Sequence, residues 1–398
     1  MDGYILSIDQ GTSSAKAHIF DTFGRVISSA RRSIVQYHSQ EGWTEEDLDE
    51  IWDGVLLAVS DALKNAGILP EDIAAIGITN QQGTTAVWDK GTGEAIGRAI
   101  VWQDRRSQSI CERFSEKEIE SLAFRSLGEI VPNLSSTKLC WLLENNRAVQ
   151  KTLSRNNLMF GTIDSWLIWK LSGGTAHITD FSNASNTGLL NMETSDWDDA
   201  SLRMFNIPRQ ILPEIRSSSE IYAITDPDVF FGVRIPISAC LGDQSAAAFG
   251  EACLVPGMLK ATIGTGSFMV RTTGSKHLPA KGGVMTPILW KINSSITYGL
   301  LDFSDISGEL LHWLQSNLGF MGNINEVDSL AMQVPDSGGV YFVPSMIGMH
   351  TPIVRPKARG TLFGLRLETT KQHLVRATLE SLAYQTRDMR LRRGRRYR

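Results

Sequence analysis

The chain has 398 residues, 42% of them hydrophobic and 21% charged, which is ordinary globular composition with room for about two to three domains. Its formal net charge of −4 includes six arginines in the last nine positions, so the remainder carries about −10, which excludes a nucleic-acid-binding surface. Cys111, Cys140, Cys240 and Cys253 show no paired spacing, no apolar run is long enough to cross a membrane, and no basic-then-apolar leader follows Met1. These features exclude zinc, a disulfide framework and a membrane partner, and predict a soluble cytoplasmic protein.

Tyr4 to Ile8 reads as a strand, Gly11 as a turn, and Ala15 to Phe20 as a second strand that closes at Asp21-Thr22-Phe23-Gly24. The loop of this hairpin, Asp9-Gln10-Gly11-Thr12-Ser13-Ser14, packs a carboxylate, a glycine and three hydroxyls into a short span. Backbone N–H groups near Gly11 and the hydroxyls of Thr12, Ser13 and Ser14 suit phosphate oxygens, Asp9 suits Mg²⁺, and Lys16 adds a nearby cation. A plain hydroxyl-rich turn accounts for the same residues. No P-loop pattern occurs, and neither Gly91-Thr92-Gly93 nor Gly264-Thr265-Gly266 has a third glycine at dinucleotide-binding spacing.

Val26 to Ile34 predicts a third strand, and Ile51, Val55, Leu56, Val59 and Leu63 recur along one helical face behind Asp47 and Asp49. Ile73 to Thr79 predicts a fourth strand, and Thr84 to Trp88 is expected to pair with Ala99 to Trp102 across the Gly91-Thr92-Gly93 turn. Further on, Val233 to Leu241 reads as a strand and the alanines with Phe249 as a helix start, so Asp243 stands at a strand-to-helix junction. There a carboxylate serves either as a helix cap or as a group that meets a substrate hydroxyl.

Asp9 to Ser14, Gly42-Trp43, Glu50-Ile51-Trp52, Asn80-Gln81, Thr84 to Asp89 and Ala99 to Arg106 together resemble the FGGY family of carbohydrate kinases, and within it the glycerol kinases. Ser135 to Lys138 with Trp141, Thr179-Asp180 with Asn183-Ala184-Ser185, Gly242-Asp243-Gln244 and Gly264 to Ser267 extend the resemblance. So does Gly360 to Leu365 followed by His373-Leu374 and Ala377 to Glu380. The resemblance implies an α/β fold of two actin-like, ribonuclease H-like domains with a cleft between them. It places the first domain at 1–245, a partial second domain at 246–388 and a basic tail, read as non-native, at 389–398.

The same resemblance implies ATP and Mg²⁺ as cofactors, a small polyol or sugar as partner, and a homo-oligomer as in the family. It makes Asp243 the general base, with Gln244 and Trp102 lining the acceptor pocket beside Gln82, Gly83 and Asn133. Thr12, Ser13, Ser14, Lys16, Thr265, Gly308 and His312 fall at nucleotide positions, and Asp9 with Asp243 at the metal. His312 reads equally as an exposed helix residue beside Trp313.

Three acceptor positions depart from the glycerol kinase pattern: Gln82 and Gly83 stand where that pattern has Arg and Glu, and Asn133 where it has Tyr. Loss of the charged pair predicts an acceptor larger than glycerol, and restoring Arg and Glu is expected to tighten glycerol binding. Pro352 to Pro356 also departs from the pattern. After Asp388 the family's adenosine-holding segment is replaced by an arginine run, which reads as a truncated or out-of-frame end. A truncated, inactive relic or sugar-binding module is therefore the alternative to an active kinase. An actin-like ATPase is a further one, which the acceptor-pocket matches at Trp102 and Gln244 oppose.

Overall fold

The computed structural model describes residues 3–123, 126–127, 130–279, 283–304, 306–346, 348–349, 355 and 357–396. The chain divides into two compact units. One comprises Met1–Leu254, Thr273–Pro279 and Thr286–Gly299, and the other Val255–Thr272, Ala280–Met285 and Leu300–Arg398.

The first unit is built on a six-stranded mixed sheet. β1 (Tyr4–Gly11), β2 (Ser14–Phe20) and β3 (Val26–Ser33) form an antiparallel meander, as their alternating apolar residues require. A short β4 (Glu45–Glu46) leads into α1 (Leu48–Ala66), which Asp47 caps by accepting from the N–H groups of Asp49 and Glu50. Gly67, in the left-handed region at φ 66°, ends this helix, as only a residue without Cβ does cheaply. α1 buries Ile51, Val55, Ala58, Val59 and Ala62 with Leu6, Ile8, Ala17 and Ile19 in the core of this unit.

β5 (Ile73–Asn80) and the strand Pro236–Gly242 lie parallel to β1, giving the order Ser219–Ile224, Pro236–Gly242, β5, β1, β2, β3. One expected pairing is corrected. β6 (Ala86–Asp89) forms its ladder with the distant strand Leu158–Gly161, and β7 (Ala99–Ile100) forms its own with β4. Only Thr85 and Ile100 bridge the segments expected to pair. The apolar stretch around Trp88 is buried on all sides against Trp166 and Trp169, so it takes the partner that completes that cluster.

In the second unit, Leu259–Ile263 pairs antiparallel with Ser267 to Arg271. The helix Gly308–Ser316 and the helix Lys371–Arg396 share a smaller apolar cluster of Leu314, Met321, Leu330, Ala331 and Val375, with Leu379 packed against it. The stretch read as a basic tail continues this last helix as far as Arg396. The Gly360 to Leu365 motif supplies the strand Thr361–Phe363, paired with Tyr341–Val343. Of the Pro352 to Pro356 segment, all but Arg355 lies outside the described residues. Among the described residues no helix is long and apolar enough to cross a membrane.

Candidate active site

Three parallel strands end at the same level. Asn80 is in register with Gln10 on one side and with Gly242 on the other, so the chain leaves β1, β5 and the strand Pro236–Gly242 within about 10 Å, two strand spacings. Ligands collect at the carboxyl ends of parallel strands because backbone groups there have no further ladder partners. The sequence puts Thr12-Ser13, Gln81 to Thr84 and Asp243-Gln244 at this edge.

The hydroxyl-rich loop is tighter than its sequence suggests. Gly11 pairs with Ser14, so Thr12 and Ser13 alone make the turn, while Asp9 to Gly11 belong to β1 and Ser14 and Lys16 to β2. Ser13 is exposed and Thr12 partly so, whereas Ser14 is buried. Lys16 Nζ lies 2.7 Å from Asp9 Oδ2 across the hairpin, a part-exposed pair that leaves the carboxylate accessible. Thr12 Oγ1 accepts a hydrogen bond from Trp102 Nε1 at 3.0 Å.

Trp102 is held from behind. Asp104 is fully buried and accepts from the Thr44 N–H at 2.6 Å and from the Arg106 guanidinium through both oxygens. That guanidinium also reaches Glu45 at 2.9 Å and stacks 3.6 Å over the Trp43 ring. The Trp102–Arg106 segment is thereby pinned by charge-assisted bonds rather than left as a loose loop.

Asp243 is the first residue of the helix Asp243–Gly250, with Gly242 in the capping position. Its carboxylate accepts from the N–H and Nε2 of the neighbouring Gln244, at 2.8 and 3.2 Å, and no side chain caps this helix. Asp243 therefore stands one residue inside the capping position. Gly242 is fixed by its N–H donating to Ser182 Oγ at 2.8 Å. Ser182 in turn is bound to Asp180, whose carboxylate caps the helix Phe181–Asn186 and accepts from Ser218 Oγ. Asn183 and Asn80 exchange reciprocal amide bonds of 3.0 Å, tying that helix to the end of β5. Asp164, Asp180 and Cys240 converge beneath. Burial raises all three, Asp164 to about 6, and hydroxyls of Thr162, Thr179, Ser182 and Ser218 fill their oxygens.

The positions that depart from the glycerol kinase pattern form one wall. Gln82 Nε2 donates to Ser182 O at 3.1 Å, and its side chain lies where a Cβ on Gly242 would be. Gly83 has φ +76°, and a Cβ there would stand 2.8 Å from the carbonyl oxygen of Asn133. Lys138, fully buried, donates to that same carbonyl at 2.6 Å and to Gly83 O at 3.1 Å; burial pulls its amine down to about 7. Arg105 Nη1 donates to Asn133 Oδ1 at 3.1 Å, and Asn133 Nδ2 is buried without a hydrogen-bond partner. Gly83 is therefore more than a shortened Glu: the backbone has a shape that glycine alone adopts without strain. This revises the expectation that Glu at Gly83 restores a triol clamp.

In the second unit Thr265 is exposed at the tip of its hairpin, and the Gly308 N–H donates to Gly264 O at 2.8 Å. A Cβ on Gly308 would stand 2.6 Å from that oxygen, so this close approach requires glycine. His312 is exposed one turn along the helix that Gly308 begins. The structure brings Thr265 and Gly308 together, and separately gathers Asp9, Thr12, Ser13, Gln82, Gly83, Trp102, Asp243 and Gln244 at the edge of the first unit.

Sequence reasoning missed Glu46 and the role of Gln81. Glu46 sits in an acidic run that reads as a helix start, yet it is fully buried and accepts from Gln81 Nε2 at 2.6 Å. Burial pushes its carboxyl up to about 7.

The N-terminal domain of the FGGY family of carbohydrate kinases matches residues 4–250, and the C-terminal domain of that family matches residues 259–390. Glycerol kinase 2 of Thermotoga maritima is 46% identical over 387 residues, 97% of this chain and 78% of its own length. A glycerol kinase of Geobacillus is 45% identical over 98% of this chain and 79% of its own. Among solved structures, Plasmodium falciparum glycerol kinase with ADP superposes with a TM-score of 0.85 at 31% identity, over 97% of this chain and 77% of that one. A ligand-bound xylulose kinase from Lactobacillus acidophilus, at 20% identity and a TM-score of 0.83 over 98% of this chain and 78% of its own, shares the fold. The chain belongs to the FGGY family of carbohydrate kinases, and its reaction is ATP-dependent phosphorylation of a hydroxyl on a polyol or sugar.

Proposed function

We propose that Asp243 is the general base of this reaction and that the acceptor is an uncharged polyol or sugar longer than glycerol. The observation that carries the second part is the wall made by Gln82, Gly83 and Asn133. It offers amides and an absent side chain where the glycerol kinase pattern has Arg, Glu and Tyr, and the backbone at Gly83 has no room for a side chain. Side chains without charge at these positions favour a ligand recognised by neutral hydrogen bonds.

Asp243 stands half-buried at the carboxyl end of the sheet, beside Gln244 and one residue inside the capping position, which suits it to take a proton from an attacking hydroxyl. Phosphoryl transfer depends on alignment and charge compensation more than on covalent chemistry. Thr12, Ser13, Ser14 and Lys16 supply donors on one hairpin, and Thr265, Gly308 and His312 are assigned to the nucleotide in the second unit. Carboxylate oxygens are the donors Mg²⁺ takes, and Asp9 and Asp243 would hold it, with Lys16 giving up its pair with Asp9.

A coupled assay of ATP turnover over glycerol, tetritols, pentitols and ketopentoses tests the reading. A kcat/KM for a four- or five-carbon acceptor at least about tenfold above that for glycerol is expected, the equivalent of one lost charge-assisted bond. Glycerol as the best substrate overturns the acceptor assignment. ATP turnover that ignores the acceptor overturns the kinase reading of the site.

A further inference from the structure

We propose that Glu46 is a positioning residue whose carboxylate fixes the direction of a buried chain of side-chain amides, and so holds Trp102 and the phosphate hairpin in working geometry.

An ionised carboxylate only accepts hydrogen bonds, whereas a side-chain amide has one accepting and one donating end. Glu46 presents Oε2 to Gln81 Nε2 at 2.6 Å and Oε1 to Gln36 Nε2 at 3.2 Å, so both glutamines must turn their donors toward it. With Nε2 so committed, Gln81 also donates to Gln10 Oε1 at 3.2 Å and leaves its own Oε1 for the Thr84 hydroxyl at 3.0 Å. Thr84 Oγ1, its proton spent on Gln81, is free to accept the Trp102 backbone N–H at 3.2 Å. Gln10, its oxygen spent, turns Nε2 to the carbonyl of Gly11 at 3.1 Å, at the root of the Thr12-Ser13 turn.

One group, acceptor-only when ionised, therefore decides the sense of three amides and a hydroxyl. Both ends of the chain lie in the site: Trp102 at one, Gly11 at the other. Glu46, Gln81, Gln10 and Thr84 are each buried, so no water competes for these bonds. If Gln81 were reversed, its oxygen would face the carboxylate, and Thr84 and Gln10 would lose their partners. Burial works against the charge on Glu46, so a neutral glutamine of the same shape would suit packing better; what the carboxylate supplies is direction. The inference rests on the reading that Trp102, Asp243 and the Thr12-Ser13 hairpin form the reaction site.

The test compares the full chain with its Glu46→Gln and Glu46→Asp variants by hydrogen–deuterium exchange and by kcat with the best acceptor. In Glu46→Gln, exchange over residues 9–14, 80–85 and 100–104 is expected to rise about fivefold, as for loss of one net hydrogen bond, while α1 stays as protected as before. kcat is expected to fall about tenfold through misalignment. Glu46→Asp keeps an acceptor-only group and should lie nearer to wild type in both. Unchanged exchange in the three segments overturns the proposal, and so does an equal rise in α1, which would mark a merely structural residue. Faster exchange with unchanged kcat also overturns it. If the wild-type chain transfers phosphate to no acceptor, the proposed function fails, and the exchange measurements alone decide whether Glu46 orders these loops.

Discussion

Trp102 Nε1 and Thr12 Oγ1 are 3.0 Å apart, so the residue assigned to the acceptor and the residue assigned to the phosphates are joined by one direct hydrogen bond. Ninety positions separate them in the chain. What brings them together is the parallel pairing of β1 with β5 and the anchoring of the Trp102–Arg106 segment through buried Asp104.

Replacing Trp102 by Phe keeps most of the apolar ring and removes the indole donor. A neutral hydrogen bond contributes about 0.5–1.5 kcal/mol, so kcat/KM should fall about three- to tenfold. If the bond aligns the phosphate hairpin, part of that loss appears in the KM for MgATP, although Trp102 is assigned to the acceptor side. Steady-state kinetics with each substrate varied in turn checks this; a change confined to the acceptor KM would refute the coupling.

Asp243→Asn separates base from cap. Asn keeps the size of Asp243 and a side-chain oxygen that can accept from the Gln244 N–H, so the variant should keep its melting temperature within about 2 °C. Loss of a general base costs about 10²- to 10⁴-fold in kcat. Near-wild-type turnover would remove Asp243 from the chemistry, and a large drop in melting temperature would restore the structural reading.

Gly83 is predicted to resist substitution. A residue with a Cβ in the left-handed region costs about 1–2 kcal/mol, and here the Cβ also meets the Asn133 carbonyl, which Lys138 holds in place. Gly83→Ala should lose about 2 kcal/mol or more by urea denaturation. Gln82→Arg with Gly83→Glu should bind glycerol no more tightly than wild type by calorimetric titration. Tighter binding by a fully stable double variant would show that this loop has another accessible shape.

Much of the scaffold was legible because its signals are local. The alternation in β1, β2 and β3, the Asp47 cap and the Gly67 stop announce their elements within a few residues, and the structure has all of them. The partner of β6 was not legible. Trp88 gives no sign in sequence that it packs against Trp166, and that cluster, not the nearby turn, selects the strand Leu158–Gly161. Asp243, Trp102 and the Thr12-Ser13 turn were visible as motifs. Glu46 was hidden, because Glu45-Glu46-Asp47 reads as an exposed acidic run until β4 pairs with β7 and turns alternate side chains inward. Lys138 was likewise hidden within the Ser135 to Lys138 motif, since a fully buried lysine is recognisable only once its two carbonyl partners are placed.

The pH dependence of stability gives a test of Glu46 that does not depend on activity. Its folded-state value, about 7, lies above the ordinary 4.5, because burial disfavours the charge more than the Gln81 and Gln36 bonds favour it. The folded state then holds the proton more tightly than the unfolded chain does. Stability from this group is fully present below the unfolded value and is lost as pH rises through about 7, by about 3 kcal/mol in all. Other buried groups add slopes of their own: Asp164, raised to about 6, has the same sign, while His177, lowered to about 4, and Lys138, lowered to about 7, have the opposite one. These contributions are common to wild type and Glu46→Gln, so the difference between the two proteins isolates Glu46. Nine of the ten tryptophans lie in the first unit, so fluorescence-detected urea unfolding reports on it. The variant minus wild-type difference in unfolding free energy is expected to rise by about 3 kcal/mol between about pH 5 and about pH 8. A flat difference across that range would mean that the Glu46 carboxylate keeps its ordinary hydration, and the amide chain would then lose the buried acceptor from which it takes its direction.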